Sequence, residues 1–195
     1  MSNGNENLTV SEIRELIITA LRSIKRNGIE DLIKFLEDSD FFDAPSSIKY
    51  HSNFKGGLAV HSWKVFTLLK YKVGMYQKLK GKYTEDNIII CGLLHDICKV
   101  NYYKRITDNE GKQWKIDDKL PLGHGEKSVI VISQFIKLEP CEMLAIRWHM
   151  LGLDPGIHFN YPSGYPYKTA VNTEPLVCLL YTADFESTII LETFS

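Results

Sequence analysis

Cysteine is scarce: four occur among 195 residues, Cys91, Cys98, Cys141 and Cys178, and no two form a C-x-x-C pair. This spacing supplies neither the paired thiolates of a zinc ribbon nor the framework of a disulfide-stapled domain. All four lie in apolar segments and read as buried free thiols of a reducing compartment, the cytoplasm. Charge of one sign is missing too. Lys and Arg number 23 against 24 Asp and Glu, a formal net charge of −1, which gives no global pull toward nucleic acid or an anionic membrane. Long hydrophobic runs are absent: the longest, IIICGLL at 88–94, falls far short of the roughly 20 residues that span a bilayer. The opening, MSNGNENLTV, has no apolar signal core. Neither secretion nor membrane insertion is expected. No repeat, low-complexity tract or linker divides the chain, and its length suits one domain, 1–195.

What the chain does have is helical periodicity. In 11–27, Ser11 offers a start signal, and Ile13, Leu16, Ile17, Leu21 and Ile24 form an apolar stripe. A short helix is expected at 29–37, then an irregular stretch at 38–57, where proline and a glycine pair break regularity. Helical signals resume over 57–79, 84–100, 124–136, 139–150 and 175–192, with Pro175 at a first helical position. The exception is 102–118, two β-prone runs about NEG that read as a hairpin. The segment DPGIHFNYPSGYPY, 154–167, reads as a long loop. The expectation is an all-α fold with a small β-hairpin insert near 102–118, its N-terminal helices (11–37) packed on a core formed by 56–192.

Charged residues inside apolar pattern carry the functional signal. Around 88–100, apolar residues cover every side of a helical wheel, so this helix should lie at the centre of a bundle. Yet it holds His95, Asp96 and Lys99. An ionised carboxylate there costs several kcal/mol unless it is paired or binds a metal. A protonated Asp96 bonded to His95, or a buried Asp96–Lys99 pair, would satisfy this segment alone. But His61 shares a stripe with Leu58, Val65 and Leu68, and His124 with Ser128, Val131 and Phe135. His149 aligns with Ala145 and Ile146, and Asp184 with Val177, Leu180 and Leu191. Six polar side chains on the inward stripes of five expected helices would each need a separate partner. One metal centre supplies a partner to all, as helix bundles commonly arrange.

The stretches GGLAVHSWKV, GLLHDICKV, GHGEKS, IRWHM and YTADFES, in that order across 56–187, resemble the HD-domain metal-dependent phosphohydrolase superfamily, whose fold is a helical bundle. The resemblance implies that His61, His95, Asp96 and Asp184 are the defining metal ligands. It implies that His124 and His149 are the extra histidines of binuclear branches, in which Asp96 bridges two ions. Lys99 matches a lysine that contacts phosphate or the attacking water. The GGL-x-x-H lead-in is most similar to the 3′–5′ exoribonuclease branch, and the spacing of ligand segments also resembles the dinucleoside tetraphosphatase branch. Cys98 stands where many members have glycine. SGYP at 163–166 superficially resembles cyclic-di-GMP phosphodiesterases of the HD-GYP type, but the paired HHE of that group is missing.

Imidazole and carboxylate donors suit one or two divalent transition ions, Mn, Fe, Co, Ni or Zn. Such ions lower the pKa of a water toward neutrality for attack on phosphorus, with Asp96 and Lys99 as the catalytic pair. The resemblance therefore implies a phosphohydrolase acting on a phosphoester or phosphoanhydride bond of a small phosphorylated substrate, a nucleotide or short RNA. His51 is a candidate proton donor to the leaving group, or an exposed loop histidine. Arg147 is a candidate phosphate clamp, or half of an ion pair. His158 reads as a surface residue, though Phe159 and the nearby tyrosines could stack on a base. The five lysines of 70–83 read as a solvated helix end before a nucleic-acid guide. Two other classes stay open: an HD-fold di-iron oxygenase and a non-catalytic nucleotide-binding sensor.

Overall fold

The computed structural model describes residues 8–48, 52–108, 111–150 and 165–192. Two helices open the chain, α1 (Val10–Ser23) and α2 (Ile29–Asp38). The start of α1 is set by Thr9, not Ser11: Thr9 Oγ1 accepts from the Glu12 amide at 3.2 Å and the Glu12 carboxylate accepts from the Thr9 amide at 2.8 Å. This reciprocal box satisfies two otherwise orphaned amides. Of the expected stripe, Leu16 is exposed while Ile18 is buried, so the inward face is rotated from the one read in the sequence.

The site is carried by α3 (Gly57–Met75), α4 (Glu85–Leu94), α5 (His124–Ser133), α6 (Pro140–Arg147) and, after α7 (Tyr165–Thr173), α8 (Pro175–Glu186). Residues Asn87 to Leu94 of α4 are all buried, the placement expected of a helix apolar on every side. It packs against α3, α6 and α1, while α8 packs against α3 and α6. One continuous core runs from Ile13 in α1 to Ala183 in α8. Two glycines set the closest approaches. A Cβ on Gly92 would stand 2.5 Å from Phe66 Cα, and one on Gly125 would stand 2.0 Å from the Arg147 carbonyl oxygen. Both distances exclude any side chain, so α4 lies against α3, and the start of α5 against the end of α6, because those positions are glycine.

The helices are shorter than the periodicity suggests. The α4 helix ends at Leu94, and a 3-10 turn, Ile97–Lys99, follows. The α3 helix ends at Met75 and α6 at Arg147. The last helix gives way to a π turn, Ser187–Leu191, which leaves Leu191 exposed. Pro175 does occupy the first turn of α8. The hairpin is present: β1 (Tyr103–Asp108) pairs antiparallel with β2 (Gly111–Ile116), Tyr103 opposite Ile116. The 154–167 segment is not wholly loop, since α7 begins at Tyr165; residues 151–164, with His158 and Phe159, lie outside the described residues, as does His51. The cysteines are free, but only Cys91 and Cys98 are buried; Cys141 is half-buried and Cys178 exposed. No helix among the described residues is long and apolar enough to cross a membrane.

Candidate metal centre

His61 projects from the first turns of α3, His95 and Asp96 stand where α4 stops, His149 lies just past α6, and Asp184 sits in the last turn of α8. The structure brings these five together in the interior. Among the described residues two groups could hold a cation: His61, His95 and Asp184, and His95, Asp96 and His149, with His95 common to both. All three histidines are fully buried.

Their tautomers follow from their outer partners. A carbonyl oxygen can only accept, so His95 Nδ1–H donates to Gly92 O at 3.0 Å and His149 Nδ1–H to Ile146 O at 2.7 Å. His61 Nδ1 meets the carboxylate of Glu192 at 2.9 Å. Each imidazole therefore turns Nε2 inward. This is the arrangement metal-binding histidines adopt, with the far nitrogen fixed by a carbonyl or carboxylate. Glu192 is itself held by Ser187 Oγ at 2.9 Å and by the Ser52 hydroxyl.

The inward nitrogens need something positive between them. His61 Nε2 stands 3.3 Å from His95 Nε2 and 3.1 Å from Asp184 Oδ1, and His95 Nε2 is 4.0 Å from that oxygen. Two lone pairs facing at such a distance repel unless a proton or a cation is shared. In the metal-free chain a proton serves. Burial opposes it, but the Asp184 and Glu192 carboxylates hold the His61 imidazole up at about 10. Burial pushes His95 down to about 4. Two of these separations, 3.3 and 3.1 Å, also suit a metal: donors about 2.1 Å from one ion stand roughly 3.0–3.4 Å apart, and the third, 4.0 Å, is wider. His149 Nε2 is buried without a hydrogen bond; Asp96 Oδ1 is 3.6 Å away. An unpartnered polar atom in a dry interior is costly, and a cation would satisfy it. The donor set therefore fits a divalent transition ion.

Asp96 faces both groups. Its Oδ2 is 3.7 Å from His61 Nε2 and from His95 Nε2, while Oδ1 faces His149. Lys99 Nζ donates to Oδ2 at 2.6 Å, the buried ion pair that the sequence left as an alternative. Burial would raise the Asp96 carboxyl, but Lys99 and the adjacent histidines hold it well below the usual range. Burial likewise works against Asp184, yet His61 keeps it low.

The remaining candidates divide. His124, first residue of α5, lines the same cavity but joins neither group. Its Nδ1 lies 3.4 Å from Cys98 Sγ. Burial raises that thiol to about 12 and lowers the pKa of His124; which of the two donates depends on the His124 tautomer. Arg147 is drawn elsewhere: its guanidinium pairs with Glu126 at 2.5 Å and lies 3.9 Å from the Trp148 ring centre. It is absent from the cavity wall. Glu192 went unread in the sequence. The one available signal was a glutamate eight residues beyond Asp184 near an apolar helix end, and the π turn puts it out of helical phase.

The groups open on a cavity of about 820 Å³ walled by Asp96, Lys99, Tyr103, His124, His149 and Asp184 among others. This is within the span of small-molecule sites, roughly 300–1,000 Å³.

The chain is similar to dihydroneopterin 2′,3′-cyclic phosphate phosphodiesterase of Methanocaldococcus jannaschii, 31% identical over 106 residues. The match covers 53% of this chain and 41% of that enzyme, so the chain accounts for less than half of the relative's length. No family model and no solved structure matches.

Proposed function

We propose that the chain is a metal-dependent phosphohydrolase of the HD type, a single unit acting on a phosphoester or phosphoanhydride bond of a nucleotide or similar small phosphate. One observation carries the reading: four buried His and Asp side chains and the half-buried Asp184, placed by four helices and their ends, converge on two donor groups that share His95. The phosphodiesterase activity of the M. jannaschii relative supports it, and so does a cavity larger than a phosphate group alone requires.

In this reading His61, His95, Asp96 and Asp184 would hold a first ion, and Asp96 and His149 would serve a second, with His124, on the same cavity wall, as a further candidate donor. Divalent ions there would supply Lewis acidity and an activated water. The chain's own residues do the rest. The carbonyls behind His95 and His149 and the carboxylate behind His61 lock the donors before substrate arrives, which spares reorganisation at the moment of reaction. Lys99, on the cavity wall beside Asp96, places a permanent positive charge where a phosphoryl oxygen gains negative charge. His51 remains a candidate proton donor. Arg147, engaged with Glu126, serves the site through the α5–α6 contact.

The test is a screen of manganese- and cobalt-loaded protein against bis(p-nitrophenyl) phosphate, p-nitrophenyl phosphate, nucleotides, cyclic nucleotides, dinucleoside polyphosphates and short RNA, with Asp96→Ala alongside. Wild-type turnover that persists under nitrogen, with loss of about a thousandfold or more in Asp96→Ala, is expected for residues that act as one unit. Full activity in Asp96→Ala would refute the mechanism. Turnover that needs iron and oxygen would favour the oxygenase, and nucleotide binding without turnover the sensor.

A further inference from the structure

The cavity has a second side that the phosphate chemistry does not use. One face of α8, continued into the π turn, presents Tyr181, Asp184, Phe185 and Ile189 to it. Tyr181 precedes the candidate ligand Asp184 by one helical turn and Phe185 follows it directly. The two rings are stacked, centroids 5.9 Å apart and planes inclined at 25°. Phe185 is 48% exposed and Ile189 40%. A single exposed phenylalanine is ordinary. Two stacked aromatics and an exposed isoleucine, lining one cavity and contiguous with a metal-donor carboxylate, make a platform rather than an isolated residue.

Resting on the phosphohydrolase reading, we infer that this site takes phosphate esters of a planar heteroaromatic group, and that Phe185 receives the ring by stacking. The ester is divided between two chemistries. Its charged end meets the donor groups and the Lys99 ammonium; its flat end covers the apolar wall formed by Phe185 and Ile189. A sugar phosphate or short polyol phosphate would satisfy the first and leave the second wet. A nucleoside or pterin phosphate satisfies both, because every such ring presents a π face to an aromatic side chain. The cavity's about 820 Å³ holds both parts.

Isothermal titration of manganese-loaded protein with AMP and, separately, with ribose 5-phosphate tests this, because the two differ only in the base. Wild type should bind AMP about tenfold or more tighter, the scale of one aromatic stack. In Phe185→Leu, which keeps apolar bulk, that ratio should collapse toward one; in Phe185→Tyr it should survive. Equal affinity of wild type for both probes, or an undiminished ratio in Phe185→Leu, overturns the platform and leaves the phosphohydrolase reading standing. Binding of neither probe, together with no turnover in the phosphoester screen, overturns both.

Discussion

His61 is held from two sides, by Asp184 on its inner nitrogen and by Glu192 on its outer one. The inner contact belongs to the centre; the outer one decides which nitrogen faces it. Carboxylates in this outer position typically contribute 10–100-fold to metal affinity. Glu192→Ala should therefore weaken cobalt binding by about 10–100-fold, read from the visible absorption of the bound ion. Glu192→Gln, whose amide oxygen still accepts from Nδ1–H, should recover most of it. Unchanged affinity in the alanine variant would show that the tautomer is fixed without Glu192. The residue escapes a reading by periodicity because its role depends on the π turn, which shifts its helical phase. His61, His95, Asp96, His149 and Asp184 were legible for the opposite reason. Each interrupts an apolar stripe, and a polar group buried there requires a partner.

Helix ends were less legible than helix faces. An apolar pattern that runs on past Leu94 or Arg147 says nothing of where backbone bonding stops. Yet both stops matter: His95 and Asp96 lie at one, and Trp148 and His149 at the other. Close approach fixes where those ends meet. Gly92→Ala would force a methyl into the Phe66 backbone and part α3 from α4, the elements carrying His61 and His95. Overpacking of this kind costs about 1–3 kcal/mol. Thermal unfolding should register that loss together with weaker cobalt uptake; a fall in stability with intact uptake would mean that the two helices do not set the donor spacing. A second junction ties the end of α1 to α4 and α6. Arg26, after α1, donates to both Glu142 oxygens at 2.7 Å and to the Lys137 carbonyl at 3.1 Å. Asn87 of α4 donates to Glu142 at 2.9 Å. Glu142 is wholly buried, so Arg26→Ala strands a carboxylate and should cost about 3 kcal/mol, measured by urea unfolding. A change below ~1 kcal/mol would mean that water replaces the guanidinium.

For the molecule as a whole, the core does not depend on the centre. It runs unbroken from α1 to α8 around it, and the helical architecture followed from the 3.6-residue pattern because that burial is what the pattern encodes, while the hairpin followed from its two β-prone runs. An ion that binds only the folded chain stabilises it by about 2.7 kcal/mol at a hundred times its dissociation constant. Manganese or cobalt should raise the melting temperature by about 5–10 °C for a chain of this size, and a chelator should reverse the shift while leaving far-ultraviolet circular dichroism native. No shift with either ion would count against the donor groups as a binding site. Lys99 explains why the stripped chain should endure. Its ammonium already sits on Asp96, standing in for a resident ion as a tethered counter-charge. The pair uses one oxygen, Oδ2, while Oδ1 faces His149; a carboxylate has acceptor sites on both oxygens, so an ion taken up by these donors need not displace the ammonium. The same tether that balances the acid's charge also keeps a cation at the rim of the pocket, within reach of any anion that enters.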